Sequence, residues 1–403
     1  MKFMKKALII GGGVAGPAAA LFLKRAGCLP EVFEAEEEPN PYGGLFLNVG
    51  RNGLGVLDEL GVGEAIRESG FEMRVMSFRN GAGKQLGAIG DPHKPHGVTV
   101  KRSLLQQVLL EQTERENIPV SFGKKLTGIE RSGNEITAYF HDGSSTTGDF
   151  LIGCDGIHSR VRKELLPDAA PPSFTGLISF GGFSRVQGLA PEPGVQNMVF
   201  GKRAFFGYLV KEDGEIYWFG NMSMNGTPTR KSLQSIPEAQ WRKTIDDLYS
   251  DDPAPILDII QGTDANINAY PIYDMLTQPV WHTNRAVLIG DAIHAVSPNA
   301  GQGASLALED ALVLAKCVRD SEHIHQAFAL FQQLRKERVE RIVRYSRSIG
   351  QRKHATSPVQ VFFRDLMLPQ FLKASNKQSL SWMYDYPVRW NEKVSQLNGG
   401  SVC

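Results

Sequence analysis

Short apolar runs followed by glycines or charged residues recur along this chain and set the order of its elements. Ala7–Ile10 is apolar and ends at a glycine cluster, which predicts a buried strand. The run Gly13–Gly27 is rich in Ala and Leu and predicts a helix closed by its last glycine, and Glu31–Glu34 predicts a second strand. A strand, a helix and a strand in this order predict a parallel sheet.

Two kinds of pattern alternate over the rest of the chain. Helix signals occur at Asn52–Leu60, Ser103–Asn117, 237–261, Gly303–Val318 and 321–350, and 357–385 is expected to hold two more helices. Strand-like runs occur at Phe150–Gly153, Phe174–Phe183, Arg203–Lys211, Glu215–Ser223 and Ala286–Ile289, and 119–152 predicts a β-meander. The pattern therefore predicts α/β pieces at both ends of the chain and a mostly β insertion between them.

Composition and charge narrow the class of protein. The chain has 403 residues, of which 42% are hydrophobic and 22% charged, and its formal net charge of +1 gives no electrostatic case for nucleic acid. Its four cysteines form no C-x-x-C pair and its nine histidines are dispersed, so no metal site is predicted. Scattered cysteines fit a reducing compartment, and a cytoplasmic location is expected. Glycines and a proline interrupt the uncharged run Ala7–Leu23, so no integral membrane segment is expected.

The first string with a chemical meaning is Gly11-Gly12-Gly13-Val14-Ala15-Gly16, between a predicted strand and a predicted helix. In such a string Gly11 permits the tight turn, Gly13 lets a pyrophosphate approach the backbone, and Gly16 lets helix and strand pack closely. The helix N-terminus binds the phosphate charge. Glu34 ends the next strand, where a carboxylate can accept hydrogen bonds from ribose hydroxyls. The string predicts a dinucleotide site and does not separate NAD from FAD.

A second glycine-rich string, Gly290-Asp291-Ala292-Ile293-His294 continuing to 298–303, also lies between a predicted strand and a predicted helix. Asp291 at a strand end is suited to a ribityl hydroxyl. The helix that opens at Gly301-Gln302-Gly303 directs its positive end at the same place, which would stabilise an anionic reduced flavin. A helix cap is the alternative role for Asp291.

A third string, Cys154-Asp155-Gly156 followed by the basic segment 158–162, also comes directly after a predicted strand. An ordinary turn with a basic helix start explains it as well as a ligand site does. Both interpretations stay open from the residues alone.

Together the three strings resemble the class A FAD-dependent aromatic hydroxylases, the single-component flavoprotein monooxygenases of the p-hydroxybenzoate hydroxylase type. That family carries G-x-G-x-x-G, a D-G string and then G-D-A-A-H…P…G-Q-G, in this order and at about these positions, and the match spans roughly residues 5–350. The layout is also similar to that of small phenazine, salicylate and tetracycline monooxygenases. The sequence departs from the pattern at Ile293, which replaces an Ala, at Ser305, which replaces a common Asn, and at Cys154, which replaces a common Ala.

The resemblance implies the fold and the cofactor. The fold class is α/β, with a Rossmann-like FAD-binding domain of the glutathione-reductase type, an inserted mostly antiparallel β substrate domain and C-terminal helices. The expected domains are 1–75, 98–170 and 281–350 for FAD, 76–97 and 171–280 for substrate, and 351–403 for the C-terminal helices. Arg102 matches an arginine on the flavin side, with a surface cation as the alternative. The expected FAD contacts are Gly11, Gly13, Val14, Ala15, Gly16, Glu34, Ala35, Arg102, Leu126, Asp155, Asp291, Pro298, Gly301, Gln302, Gly303 and Ala304.

The resemblance also implies the reaction. NADPH or NADH, bound transiently because there is no second G-x-G-x-x-G, reduces FAD. O₂ then adds to give a flavin C4a-hydroperoxide, whose distal oxygen hydroxylates an aromatic or polycyclic small molecule. The expected assembly is a monomer or a homodimer. No catalytic side chain is named, because the flavin carries the chemistry. His294 is a candidate proton relay, with a hydrogen bond to backbone as the alternative.

Aromatic strands of the insertion are expected to wall the substrate pocket. Alternation places Arg203 and Phe205 on one face of a strand. By resemblance, the expected substrate contacts are Arg203, Phe205, Trp218, Gly220 and Asn299. A core that fills both faces is the alternative for any one of the strand residues. The tail Trp382–Tyr386 is expected to pack against the body.

Three other functions occur on such an architecture and serve as alternatives. A flavin-dependent reductase of an apolar substrate would bind FAD without consuming O₂. A non-catalytic prenyl-binding carrier reuses the architecture without flavin, and the intact 290–303 string argues against it. A flavin-dependent halogenase would carry W-x-W, which this sequence lacks.

Overall fold

The computed structural model describes residues 4–39, 44–263, 267–276, 278–351, 353, 357–377, 380–387 and 389–395. In chain order, its strands are β1 Lys6–Ile10, β2 Leu29–Phe33, β3 Phe46–Gly50, β4 Phe71–Met73, β5 Val75–Asn80, β6 Gln85–Gly90, β7 Gly97–Lys101, β8 Val120–Ser121, β9 Leu126–Ser132, β10 Glu135–Phe140, β11 Ser145–Gly148, β12 Phe150–Gly153, β13 Ser173–Ser184, β14 Val195–Phe200, β15 Phe205–Val210, β16 Ile216–Ser223, β17 Asn268–Asp274 and β18 Ala286–Leu288. Its helices are α1 Ala15–Arg25, α2 Arg51–Glu59, α3 Gly63–Ser69, α4 Arg102–Arg115, α5 Arg160–Leu165, α6 Arg230–Gln234, α7 Glu238–Tyr249, α8 Ile256–Gln261, α9 Asp291–His294, α10 Gly303–Asp320, α11 Ile324–Gln351, α12 Pro358–Lys377 and α13 Ser381–Tyr384, with a 3₁₀ turn at Pro298–Ala300.

A parallel five-stranded sheet, in the order β18-β12-β1-β2-β8, carries all three glycine-containing strings. Ile10 lies opposite both Phe33 and Gly153, and Gly153 lies opposite Leu288. The last residues of four strands are therefore in register at one edge of the sheet. In open α/β sheets ligands bind outside this carboxyl edge.

Helices α1 and α10 pack against each other beside this sheet. Helix α1 buries all of Ala15–Leu23, because the alanines leave no bulky side chain to hold the neighbouring helix away. Helix α10 is buried from Ser305 to Val318. This close approach brings the first turns of the two helices together at the carboxyl edge.

The second large sheet has seven strands in the order β17-β13-β16-β15-β14-β5-β6. Pairs of residues opposite each other point to the same face of a sheet, and Phe205 pairs with Asn221 whereas Tyr208 pairs with Trp218. We call the face of Phe205 the site face, because Phe46 of β3 packs there against Tyr217, 5.3 Å between ring centroids. The site face carries Phe205, Leu209, Tyr217, Phe219 and Asn221. The opposite face, the outer face, carries Phe206, Tyr208, Trp218 and Gly220, and it packs on helices α7 and α8.

Most of the fold prediction is confirmed. The structure has the predicted α/β class, the β-meander as antiparallel β9, β10 and β11, and two helices within 357–385. The helical character predicted for 237–261 is confirmed as two helices, α7 and α8, which are separated by 250–255 with its two prolines. Strands β3 to β7 within 46–101 were not predicted, since glycines and charged residues break their alternation. None of the helices in the described ranges has the length and apolar character of a bilayer span.

Candidate active site

The first glycine string forms a turn that tolerates no side chain at two of its positions. Gly11 has φ +115°, and a Cβ there would lie 2.5 Å from the carbonyl oxygen of Cys154. A Cβ on Gly16 would lie 1.9 Å from the carbonyl oxygen of Gly11. Both glycines therefore have the packing roles predicted for them. A Cβ on Gly13, in contrast, would meet no atom within 4 Å, so the protein leaves this backbone open to approach.

Glu34 lies directly after β2 at the carboxyl edge. Its Oε2 accepts a hydrogen bond from the backbone nitrogen of Gly12 at 2.5 Å, and its Oε1 accepts one from the backbone nitrogen of Glu36 at 3.0 Å. The carboxylate thus lies against the first glycine turn, where a ribose next to a bound pyrophosphate would lie. Ala35 follows it as an exposed residue, and Leu126 is buried at the start of β9.

The second glycine string meets the first string directly. Gly290 has φ +57°, and a Cβ there would lie 3.6 Å from the Cβ of Ala15 and 3.3 Å from the Cβ of Ala307. Ala15 belongs to the first string, and Ala307 to the first turns of α10. Two strings almost 280 residues apart in sequence therefore face one space at the carboxyl edge.

Asp291 and Arg102 lie on the open side of this space. Asp291 begins α9, and desolvation by the surrounding protein raises its pKa, while His294 and Arg102 act in the opposite direction. Arg102 begins α4 with an exposed side chain, and it also lowers the pKa of Tyr270, which burial raises. Arg102 therefore lies within electrostatic range of both Asp291 and Tyr270.

The start of α10 completes this side of the site. Gly301 has φ +61°, and a Cβ there would lie 2.8 Å from Nδ2 of Asn48 on β3. Gln302 is fully buried, and its Oε1 accepts a hydrogen bond from Nδ2 of Asn52 at 2.9 Å. A Cβ on Gly303 would meet no atom within 4 Å, and Ala304 follows it in the first turn. The helix thus presents its N-terminal amides to open space.

A buried ionic network holds this helix start from behind. Nε2 of His294 lies 2.5 Å from Oδ2 of Asp310, which also accepts a hydrogen bond from the backbone nitrogen of Gly290 at 2.9 Å. Oδ1 of Asp310 accepts one from Nε of Arg335 at 2.7 Å, and Nη1 of Arg335 lies 2.6 Å from Oε2 of Glu309. Burial alone would raise the pKa of Asp310, but His294 and Arg335 outweigh it and lower that pKa to about 2. His294 is therefore a buried positioning residue behind the second string.

The third string supports the other two. The Asp155 carboxylate accepts hydrogen bonds from the Ser159 hydroxyl at 2.5 Å and from the backbone nitrogen of Arg160 at 2.6 Å, so it caps the start of α5. The buried Arg162 donates from Nη1 to the carbonyl oxygen of Ala292, 2.6 Å away, and so ties α5 to the second string. The thiol of Cys154 lies 3.2 Å from the carbonyl oxygen of Ile10, beneath the first turn. The third string therefore forms a turn followed by a basic helix start, as one of its two interpretations predicted. A contact between Asp155 and the cofactor stays a prediction.

These residues fit an FAD molecule. The open backbone at Gly13 and the open helix start at Gly303 are the two places where a bound dinucleotide would replace solvent, and Glu34 and Asp291 are the acceptors beside them. Oδ1 of Asn299 is buried and has no hydrogen-bond partner among the described residues, so a donor group of a ligand can pair with it.

Comparison with known proteins decides the family. The profile of a family described as FAD binding domain matches residues 4–343. The aurachin C monooxygenase/isomerase of Stigmatella aurantiaca is 30% identical over 362 residues, which cover 87% of this chain and 90% of that protein. The FAD-dependent urate hydroxylase of Klebsiella pneumoniae is 29% identical, over 84% of this chain and 88% of that protein. This chain belongs to the FAD-dependent monooxygenase family.

Solved structures show the same fold. Klebsiella pneumoniae HpxO complexed with FAD and uric acid has a TM-score of 0.81 at 24% identity, covering 94% of this chain and 98% of that chain. A salicylate hydroxylase substrate complex has a TM-score of 0.75 at 21% identity, covering 98% of both chains. The recognition of a flavin monooxygenase is confirmed, and the chain is an FAD-using enzyme, which removes the non-catalytic carrier from the alternatives.

The substrate face predicted for this flavin monooxygenase is wrong, because it combines residues that β15 and β16 carry on opposite faces of the sheet. Phe205 lies on the site face, but Trp218 and Gly220 lie on the outer face. Trp218 is fully buried and donates from Nε1 to Oγ1 of Thr263 at 2.9 Å. A Cβ on Gly220 would lie 2.3 Å from the ring of Phe180, so this glycine makes room in the core. These two residues pack against α7 and α8 and do not face the site.

Arg203 is also placed away from the site. It precedes β15 and is exposed, and its Nη2 donates to the Ser250 hydroxyl at 2.7 Å and lies 3.2 Å from Oδ2 of Asp251. It therefore anchors the end of α7. Phe205 and Asn299 are not displaced in this way, and their contact with a substrate stays a prediction. Phe205 packs on the site face, and Asn299 lies beside the start of α10, where a Cβ on Gly350 would approach its Nδ2 to 2.6 Å.

The site face carries a polar row that the sequence did not reveal. Asn221 pairs with Ser179, and Ser179 pairs with Tyr270, so three neighbouring strands present polar side chains at one level. At the end of this row Nζ of Lys353 donates a hydrogen bond to Oδ1 of Asn221 at 2.7 Å. Nothing in the sequence marks these residues, since they come from four distant segments and belong to no motif.

A separate cleft of about 830 Å³ lies between α4 and the segment Pro119–Phe122. Gln106 lines it and also donates from Nε2 to the carbonyl oxygen of Gly12 at 2.8 Å. The cleft thus borders the first glycine turn through Gln106.

Proposed function

We propose that this chain inserts one oxygen atom of O₂ into an aromatic or polycyclic small molecule, with NADPH or NADH as the electron donor. The observation that carries the proposal is the meeting of the two glycine strings at Gly290 and Ala15, which suits one FAD molecule held from both ends. The relatives named above, a urate hydroxylase and an aurachin C monooxygenase/isomerase, support a flat ring-containing substrate.

Bound FAD supplies the redox chemistry that passes electrons from NAD(P)H to O₂, and the protein supplies binding, orientation and exclusion of water. Backbone amides at the start of α1 bind the pyrophosphate, and Glu34 orients the ribose. Asp291 accepts from the ribityl chain. The amides at the start of α10 stabilise negative charge on the flavin ring.

The site face is proposed as the wall of the substrate chamber. Its aromatic side chains, Phe205, Tyr217 and Phe219, are buried or partly buried, and the rings of Tyr217 and Phe219 contact Phe46 of β3. Such surfaces bind a flat apolar ring and keep water from the reacting atoms. No side chain is assigned as a general acid or base in this step. His294 is engaged with Asp310 behind the second string and does not face the chamber.

The proposal also includes FAD contacts from the glycine strings, Arg102, Leu126 and Asp155. It includes the division into FAD-binding, substrate and C-terminal segments, the oxygen-transfer route that the resemblance implies, a monomeric or homodimeric state and a cytoplasmic location.

The test is a screen of aromatic compounds for faster NADPH or NADH oxidation by the FAD-loaded enzyme, with product mass measured in ¹⁸O₂. We expect at least one compound to gain a single labelled oxygen atom. A compound that is reduced at the expense of NAD(P)H without O₂ consumption would identify the reductase instead. Failure of every compound to gain oxygen, with FAD bound and reducible, would contradict the proposal.

A further inference from the structure

Lys353 is a buried lysine on the site face whose position the FAD chemistry does not explain. Its side chain is only 9% exposed. Besides the hydrogen bond to Asn221, its Nζ lies 4.0 Å from the ring centroid of Phe205 and 5.5 Å from that of Phe219. The amine is thus enclosed by two aromatic rings and one amide.

No carboxylate among the described residues balances this amine. In the described part of the chain, the groups that contact it are Phe205 on β15 and Phe219 and Asn221 on β16. The same row continues through Ser179 to Tyr270, a phenol whose own pKa burial raises. Burial is the cause of the lowered pKa of Lys353, about 7, and an acidic partner would oppose that shift. Buried charges in proteins are ordinarily paired with an opposite charge, so a buried lysine whose described contacts are two rings and a neutral amide indicates an anionic ligand group.

Other cations near the site are placed differently. Lys101 and Lys211 contact the ring of Tyr217 but are paired with Glu215. Arg102 is exposed, and its charge acts on Asp291 at the second string as well as on Tyr270. Lys353 lies at the other end of the polar row from Tyr270, beside the rings of Phe205 and Phe219.

We propose that Lys353 recognises a negatively charged oxygen on the substrate, either a phenol-type hydroxyl in its ionised form or a ring carboxylate. This inference rests on the proposed function and names the substrate class of the same site. An ammonium group carries three donor hydrogens, and the bond to Asn221 uses one of them. The rings of Phe205 and Phe219 then hold the flat substrate at its edge while the amine pairs with its oxygen.

For a hydroxyl substrate the pairing includes one proton transfer. The substrate O–H bond breaks, its proton forms an N–H bond on Nζ, and a phenolate–ammonium pair replaces the neutral phenol and amine. No electron changes hands in this step. The phenolate ring is richer in electrons than the phenol and is therefore a better nucleophile toward an electrophilic oxygen. A carboxylate substrate needs no such transfer, because the amine takes its proton from water.

The test uses the FAD-loaded full chain and four probes: benzoate against benzamide, and 2-naphthoate against 2-naphthamide. Binding is followed by the change in flavin absorbance. The variants are K353M, which keeps length and removes the charge, and K353R, which keeps the charge. K243M, an exposed lysine on α7 beyond the outer face, is the matched control.

We expect the wild type and K243M to bind each carboxylate about tenfold or more tightly than its amide, a difference of about 1.4 kcal/mol. K353M is expected to bind the carboxylates as weakly as the amides, with amide affinity changed by less than about twofold, and K353R to recover part of the preference. Equal binding of acid and amide by the wild type, absence of binding of all four probes, or a preference retained in K353M would overturn the inference.

The outcome separates this inference from the proposed function. If the wild type oxygenates a neutral aromatic compound but shows no preference for acids, the proposed function stands and the role of Lys353 is refuted. If the wild type prefers carboxylates through Lys353 but oxygenates no compound, the binding role stands and the proposed function is refuted.

Discussion

At the scale of single residues, the glycines of the first string divide into two functional kinds. Gly16 has no space for a side chain because the Gly11 carbonyl oxygen is in the way, whereas Gly13 has space that only a ligand would use. We expect Gly16→Ala to lower the yield of folded protein and its melting temperature. Gly13→Ala is expected to melt like the wild type without FAD but to bind FAD about tenfold or more weakly, because the methyl group meets the pyrophosphate.

Fluorescence titration with FAD and thermal unfolding of the FAD-free protein measure both effects. Gly128, where a Cβ also meets no atom within 4 Å but which lies in β9, provides the matched control as Gly128→Ala. Wild-type FAD affinity in Gly13→Ala would contradict the placement of the pyrophosphate.

Lys353 gives a second prediction at this scale, on stability rather than on binding. Burial lowers its pKa from 10.5 to about 7, so between these values the unfolded chain holds a proton that the folded chain has lost. The free energy of unfolding then rises with pH over this range, by at most about 1.4 kcal/mol per pH unit. Below pH 7 the folded and unfolded states both carry the proton, so this group no longer makes the free energy of unfolding depend on pH.

Urea unfolding of the FAD-saturated wild type and K353M at pH 7 and pH 9 measures this difference. We expect the wild type to gain stability relative to K353M between the two pH values. Parallel behaviour of the two proteins would mean that the amine keeps its proton in the fold.

The sequence was informative at some residues and silent at others, for a physical reason. Gly11, Gly16 and Glu34 could be placed because one local turn fixes all three, and a local turn is written in consecutive residues. Lys353 could not be placed, since its surroundings come from β15 and β16, more than a hundred residues earlier in the chain. A buried lysine has the same sequence signature as a surface lysine.

At the scale of elements, the ionic network between α10 and α11 carries a stability prediction. Arg335, Glu309 and Asp310 are all fully buried, and the arginine contacts both carboxylates. Removing one member of a buried pair leaves a charge without compensation, which typically costs about 3–5 kcal/mol. We expect Arg335→Met to lose stability of this order and to weaken FAD binding, because Asp310 also holds the backbone nitrogen of Gly290.

Arg115 provides the matched control for this network. It forms an exposed pair with Glu111 at 3.5 Å on α4, and Arg115→Met is expected to change the free energy of unfolding by less than about 0.5 kcal/mol. Denaturant unfolding of both variants tests the contrast. Similar small losses in the two would show that the buried network is replaceable.

The wrong substrate face also belongs to this scale. The expected substrate contacts combined Phe205 of β15 with Trp218 and Gly220 of β16, but the pairing of the two strands puts these residues on opposite faces. The register depends on the loop 211–215, through which Val210 pairs with Ile216. A shift of one residue exchanges the faces of a whole strand. Periodicity within a strand can therefore be predicted from sequence, whereas the face shared by two strands depends on loop geometry that the pattern does not contain.

At the scale of the whole molecule, the site exists because the chain returns three times to one edge of one sheet. Strands β1, β12 and β18 are far apart in sequence, yet their last residues are in register. The β-α-β pattern and the order of the strings were enough to predict this edge, since parallel strands place their carboxyl ends together. The polar row of the second sheet was outside that prediction, because no rule relates its register to the first sheet.

The common edge gives a prediction about how the whole molecule responds to ligands. FAD is expected to contact both glycine strings, ADP only the first and riboflavin only the second. Each ligand stabilises the fold according to its affinity, by about 2.7 kcal/mol at a concentration of one hundred times Kd. The melting temperature should therefore rise more with FAD than with ADP or riboflavin at equal concentration.

The variant Gly303→Leu places a side chain in the open space at the start of α10. In this variant FAD is expected to stabilise the fold no more than ADP does, while the effect of ADP is unchanged. Thermal unfolding with each ligand measures these shifts, and a full FAD effect in Gly303→Leu would show that the flavin does not lie at α10.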